Sequence, residues 1–534
     1  MPVPFRRLTS ADYGTFFLWV AAAVLVIVPA GLVFRRVWGM ASPIAAGERV
    51  GFFERWAGPI ALGQTVVWCA VIGCGAAALA LVWAWWMRGL TGKARGWAMV
   101  IGMTPLLLPS YLAYAGWNLV RSPGTWLGDA LALSPPWVSE WAWRGIAAGG
   151  LVLWAWPLAL LVLAPACGRV PRSVLEALRA DGAPWHVRMA EVLRMLRGDV
   201  LRAAALVGLV MAGSAIPLHI ARVNTYTIWL WSEMNRVPDI RGVWVASLPV
   251  LVIALAGAVF VLRLLPRVAA DVEQDEPETA AGGSRVARPG LFIAACCVWG
   301  AAVVAPFVLF VTSVREPSAF AGFWRDNARA IANGAVVGAG VGVIGAAVLL
   351  AAWMMTANRV REERRRGGIT GSPVFWLTVG GLVPGVLVGS AYGLVVPLSG
   401  TSMVIATHAA RFVFIAAIVG LWLGLSEPRE QRAMRLVDGA GTLGGWLTAC
   451  VRPRMGVVMG IGLALGLLSL HEIESTVQVQ PPGMDNLAQY LLDQLHYLRQ
   501  DQLAAAGATM TGIGLAGAVV SGLMLTKGSR RGSE

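Results

Sequence analysis

The chain has 534 residues, a mean hydropathy of +0.66 and 57% hydrophobic but only 13% charged residues, with the apolar residues gathered in long blocks. This composition excludes an ordinary soluble domain. The formal net charge of +14 does not indicate nucleic-acid binding, because the basic residues are spread between apolar blocks instead of forming a patch. The expected fold is all-α: a polytopic membrane protein with about twelve transmembrane helices in two homologous six-helix halves.

A bilayer core takes roughly 20 apolar residues per helix. In chain order the candidate blocks lie near 14–34, 60–87, 97–120, 145–166, 200–221, 243–265, 290–313, 331–357, 373–397, 401–425, 456–472 and 503–526. The first follows "MPVPFRRLTSADYG"; its length and the lack of a small-x-small site favour a retained span over a cleaved signal peptide. The third block turns at Pro109 in "LLLPSYLAYAG", and the ninth at Pro384 in "GLVPGVLVGSAYG". Both prolines are candidates for kinks that open backbone along a substrate pathway. Between the halves, residues 266–289 are acidic, contain Pro and Gly, and read as a cytoplasmic linker. The expected domains are therefore 1–265, the linker 266–289, and 290–534.

The repeat is also visible in two charged loops. "RADGAPW" at Arg179 matches "LVDGAGT" at Leu436, and Asp181 to Asp438 is an offset of 257. With the first residue inside and an even number of spans in each half, the inside segments hold 29 of the 43 Lys and Arg residues. This bias puts both termini, the linker and both loops in the cytoplasm. The first outside loop, with Arg35, Arg36, Arg49 and Arg55, breaks the rule. Within "RSVLEALRADGAPWHVRMAEVLRM", residues 172–181 should form a short helix, Gly182 a left-handed turn, and Pro184 the first turn of a second helix. Such a bent pair can act as a lever.

These loops resemble the cytoplasmic EAA loop of the membrane subunits of type I ATP-binding cassette importers, whose form is EAA, three residues, G, nine residues, I-x-L-P. Glu176, Ala177 and Leu178 stand at the EAA positions, Gly182 at the glycine and Val192 at the isoleucine, while Arg194 and Met195 replace Leu-Pro. The second copy keeps Asp438, Gly439 and Ala440 but has Ala433 in place of the glutamate, and Pro453 falls one position late. The resemblance covers nearly the whole chain. It implies a bacterial inner-membrane permease that docks through Glu176, Ala177, Asp181, Gly182, Ala433, Asp438 and Gly439 onto two copies of a cytoplasmic ATPase, and that receives solute from an extracytoplasmic binding protein. "HEIESTVQVQPPGMDNL" from His471 is similar to the last outside loop of fused iron(III)-type permeases. That likeness implies ferric iron as substrate, with thiamine or an aminophosphonate as alternatives.

Glu472 and Glu474 are candidates for the substrate pathway, with solvated loop carboxylates as the alternative reading. His408 and Arg411, one helical turn apart inside a span, are expected to be structural, Arg411 either pairing with a carboxylate between helices or reaching the interface. No metal-ligand or disulfide spacing joins the six cysteines. No G-x-x-x-x-G-K-[ST] loop occurs, and "GLTGKARG" at Gly89 lacks its first glycine and its hydroxyl residue, so ATP hydrolysis is expected on another polypeptide. The chain itself is expected to be no enzyme and to need no cofactor. Two rivals stand beside this reading: a secondary transporter of the major facilitator type, and a membrane-embedded glycosyltransferase-like enzyme using His471, Glu472, Glu474 and Asp485.

Overall fold

A computed structural model describes residues 9–39, 57–122, 124–214, 216–220, 222–236, 240–274, 289–357, 372–427, 429–496 and 500–530. Among these, regular structure is helical throughout. Among the described residues nine helices are long and apolar enough to cross a membrane, or up to eleven if each of two bent pairs is one span. In chain order the elements used below are α1 (Ser10–Val37), α2 (Gly58–Met87), the bent pair α3 (Gly92–Leu107) and α4 (Ser110–Arg121), and α5 (Pro136–Gly168). Then come the short α6 (Arg172–Ala180), α7 (Trp185–Ala212), α8 (Leu248–Ala269), α9 (Pro289–Ser313) and α10 (Ala328–Thr356). A second bent pair follows, α11 (Pro373–Leu382) and α12 (Gly385–Val395), then α13 (Gly400–Leu425), α14 (Arg429–Val437), α15 (Leu443–Leu470) and α16 (Gln502–Met524).

One expectation needs correction. The block 200–221 is not one helix: α7 starts at Trp185, inside the charged loop, and ends at Ala212, with a separate short helix at Ile216–Ile220. Arg197, Asp199 and Arg202 lie within α7, so its apolar part is only its last ten residues, 203–212. The helix that contains α8 runs on to Gln274, into the segment read as the linker; residues 275–288 lie outside the described residues. Between α4 and α5 lies a further short helix at Trp126–Ala132.

Local features recur along the chain. In α1 a π turn at Ala23–Ile27 runs directly into Val28 and Pro29, and in α9 a π turn at Gly300–Val304 runs into Ala305 and Pro306. Proline lacks an N–H and its ring crowds the carbonyl four residues back, and one wide turn absorbs both effects without ending the helix.

Two large cores stand out among the buried clusters of the described residues. One gathers α2, α5 and α7 around Trp83, Trp156, Leu160 and Val207; the other gathers α10, α13 and α15 around Leu349, Trp353, Ala416 and Trp446. Each core also takes in a helix that belongs to the other in sequence. Leu18, Ala22 and Leu25 of α1 sit in the second core, and Ala295 of α9 sits in the first. Correspondingly, α1 packs on α10 and the first part of α9 packs on α2. Small residues allow the closest approaches: a Cβ on Gly342 would stand 2.6 Å from Gly462 O, and one on Gly338 would stand 2.8 Å from Gly466 O. Such backbone-to-backbone packing suits apolar surroundings, where burial in lipid alone does not drive helices together.

Candidate functional site

The two charged loops have the same local geometry. Gly182 has φ +67° and Gly439 has φ +87°, both in the left-handed region where a Cβ is strained. Around the first, Ala183 N–H donates to Leu178 O at 2.9 Å and Gly182 N–H to Arg179 O at 3.0 Å. Around the second, Ala440 N–H donates to Arg435 O at 3.1 Å and Gly439 N–H to Leu436 O at 3.2 Å. These are the 6→1 and 5→2 bonds of a Schellman turn, made by the same four positions in each copy. Asp181 and Asp438 cap the two nine-residue helices α6 and α14. Pro184 is the residue before α7, where it has no N–H to leave unsatisfied; in the second copy Thr442 takes that role and accepts from Gly445 N–H at 3.1 Å.

The loops differ in how they are held. No residue of α6 is buried, and Glu176, Ala177, Asp181 and Gly182 are exposed, as are Ala433, Asp438 and Gly439. In α14, however, Arg435 is buried: it pairs with buried Glu427 at 2.9 Å and donates to Cys450 Sγ at 3.0 Å. The second turn also receives the start of α1, since Ser10 N–H donates to Gly441 O at 3.2 Å and Ser10 Oγ to Ala440 O at 3.3 Å. Large apolar side chains stand exposed on both loops: Trp185 on the first, Met434 and Val437 on the second.

The two prolines mark the bent pairs. α3 and α4 meet at 78° before Ser110, and α11 and α12 at 108° before Gly385. A helix interrupted in this way frees a carbonyl that apolar surroundings cannot satisfy. In the first pair Trp154 Nε1 donates to Leu108 O at 2.8 Å; in the second, Arg411 Nη1 donates to Val383 O at 3.1 Å. Each acceptor is the residue before the proline, and Trp154 and Arg411 are themselves 257 positions apart.

Arg411 does more than cap. Its Nε donates to Glu472 Oε2 at 3.2 Å and its Nη2 to Glu474 Oε2 at 3.3 Å. The three side chains are 14%, 7% and 6% exposed, so the solvated-carboxylate reading of Glu472 and Glu474 is overturned: α15 ends at Leu470 and the chain turns back under the bend instead of out into solvent. Glu472 Oε1 also accepts from Ser475 N–H at 2.9 Å and Ser475 Oγ at 3.0 Å, while Ile216 N–H donates to Glu474 Oε1 at 3.4 Å from 258 positions earlier in the chain. Beside them His408 lies buried between Ser469 Oγ and Thr476 Oγ1, each 2.7 Å from a ring nitrogen. Gly385 allows the bend to close on this group, because a Cβ there would stand 2.7 Å from Glu472 Oε1 and 2.8 Å from Arg411 Nη1.

The structure thus brings Pro384, Glu472 and Glu474 together with Arg411 and His408. It leaves Pro109 in an apolar counterpart of that site, and the two loops form separate exposed features. Sequence reasoning missed Trp154, although its offset of 257 from Arg411 was a usable signal, and it missed Glu427, Arg435 and Ile216. Among the described residues no three His, Cys, Asp or Glu side chains converge as metal ligands. No protein-family model matches the chain, and neither a curated protein nor a solved structure matches it.

Proposed function

We propose that this chain is the membrane permease of an ATP-binding cassette importer, in a bacterial inner membrane with both termini cytoplasmic. In this reading two copies of a cytoplasmic ATPase engage α6 and α14, and an extracytoplasmic binding protein delivers the solute. The observation that carries it is the pair of nine-residue helices, each closed by an Asp-Gly-Ala Schellman turn and each followed by a long helix that runs into a core. A carboxylate at a helix C-terminus is opposed by the helix dipole, so Asp181 and Asp438 gain nothing locally from standing there. A partner surface gives both them and exposed Trp185, Met434 and Val437 a use. Among the described residues the nine helices and two bent pairs are one short of twelve spans, and in this reading α7, with its apolar residues 203–212, takes the remaining place.

Closure of the ATPase dimer pushes on both turns. α7 and α15 span 28 residues each from the turns inward, so the push reaches the two cores and the bends at Pro109 and Pro384. Ferric iron is the substrate we propose, on the resemblance of residues 471–487, with thiamine or an aminophosphonate as alternatives. Glu472 and Glu474 meet a solute only after Arg411 releases them, which makes any contact transient.

The buried Arg411, Glu472, Glu474 and His408 favour one second reading, a secondary transporter driven by an ion gradient, since ionisable groups inside spans are what such carriers use. Reconstitution separates the two. With the ATPase and binding protein supplied, uptake into proteoliposomes should need ATP, and the chain alone under a proton or sodium gradient should accumulate no solute. Gradient-driven uptake without ATPase overturns the importer reading. ATP-driven uptake of thiamine or an aminophosphonate but not iron overturns only the substrate.

A further inference from the structure

An apolar groove of about 480 Å³ lies on one flank of the molecule. Leu25, Val33 and Val37 of α1 form one wall, Trp244 and Leu248 a second, and Trp376 and Ala391 of the α11–α12 pair a third. Its rim includes exposed Phe34 and Leu248, and the outer face of α1 is apolar along its length, with Phe17, Val24 and Val28 exposed. In a chain read as a membrane protein, this flank faces acyl chains.

The end of the groove at Val33 and Val37 carries charge. Arg35 and Arg36 lie between these lining residues in sequence and are both exposed, and of the two only Arg36 is on the groove side, since Arg35 stands about 200° around the helix from Val33. Arg36 Nη1 donates to Leu394 O at 2.7 Å, which fixes that guanidinium at the end of α12 with four of its five N–H groups outside this bond. The short helix Ile240–Ala246, which packs against this end of α1, brings Arg241 to the same end. These arginines are also the ones the charge bias along the chain does not account for, because they fall on the side where basic residues are otherwise sparse. An apolar trough ending in guanidinium groups matches one ligand chemistry: an acyl chain joined to a phosphate.

We propose that this groove binds a single anionic phospholipid, with one acyl chain between α1, α8 and α12 and its phosphate on Arg36. The position gives the lipid a consequence. Its chain lies against Val26, Gly380 and Tyr392, where α1 crosses onto the second half, and Tyr392 Oη donates to Leu25 O at 2.9 Å there. The lipid therefore fills the seam between the crossing helix and the bend at Pro384.

The test is native mass spectrometry of the purified full chain in nanodiscs made from equal parts phosphatidylglycerol and phosphatidylethanolamine. The expected result is one tightly retained phosphatidylglycerol per chain. Arg36→Gln should reduce the preference for phosphatidylglycerol by about fivefold. Ala391→Phe should remove the retained lipid by filling the trough. Arg36 is exposed, so the first variant reads headgroup recognition even if the second folds poorly. Equal retention of both lipids by the parent chain overturns the proposal. So does unchanged preference in the arginine variant, and so does a cross-link from a cysteine placed at Ala45 to one at Ala391, which would identify the chain's own segment 40–56 as the occupant.

Discussion

Arg411 sits where three demands meet: a freed carbonyl at Val383 and the two carboxylates Glu472 and Glu474. Removing only the cation leaves two like charges buried side by side, which costs about 3–5 kcal/mol. Arg411→Met should therefore lower the melting temperature of the detergent-solubilised protein sharply, and adding Glu472→Gln and Glu474→Gln should recover most of the loss. Trp154→Phe, which gives up one neutral hydrogen bond to Leu108 O, should cost only about 1 kcal/mol. If Arg411→Met melts with the parent protein, the cluster is not held as described. At this scale the sequence was partly legible. An arginine inside a span announces a partner, but which carboxylates would fold back under Pro384 depended on a chain reversal after Leu470 that no local pattern encodes.

The turns at Gly182 and Gly439 are where local sequence and local structure agree most closely. A short charged run, then Asp-Gly-Ala, spells a helix and a left-handed stop, and the backbone adopts it twice. A Cβ built on either glycine meets nothing within 4 Å, so the cost of a substitution there is conformational and not steric crowding. Gly182→Val and Gly439→Val should each cost about 1–2 kcal/mol at the turn and weaken stimulation of ATPase activity by solute. Asn tolerates the left-handed region, so Gly182→Asn should retain most of that stimulation. A valine variant as active as the asparagine variant would rule out the turn geometry as the cause. What the sequence hid in these elements is their anchoring. Arg435 stands where the first copy has Leu178, and its buried pairing with Glu427 comes from tertiary packing of α14. The extent of α7 was hidden for a related reason: a helix that leaves the membrane and continues as a charged, exposed helix has no compositional edge, only the cap at Pro184.

Across the whole molecule the all-helical, membrane-like class was legible and the crossing of helices between cores was not. Hydropathy locates long apolar helices but carries no information on which neighbour a helix chooses, since lipid and another helix are equally apolar to it. The crossing has a mechanical meaning for α1. Its first turn is bonded to the second Asp-Gly-Ala turn through Ser10, and its middle packs in the second core through Leu18, Ala22 and Leu25. Gly14 lies between these two contacts, pressed onto α10: a Cβ there would stand 2.6 Å from Ala351 O, 2.7 Å from Met354 Cβ and 2.8 Å from Met355 N. Two of those atoms are backbone, so no side-chain rotation relieves the clash and α1 has to move away. Gly14→Val should therefore loosen α10, α14 and the turn at Gly439 while α2, α5 and α7 keep their packing. In hydrogen–deuterium exchange, protection should fall over residues 328–356 and 429–446 and persist over 136–168. Equal loss in both cores would mean that α1 stabilises the molecule as a whole, and loss confined to α2, α5 and α7 would mean that it packs within its own half.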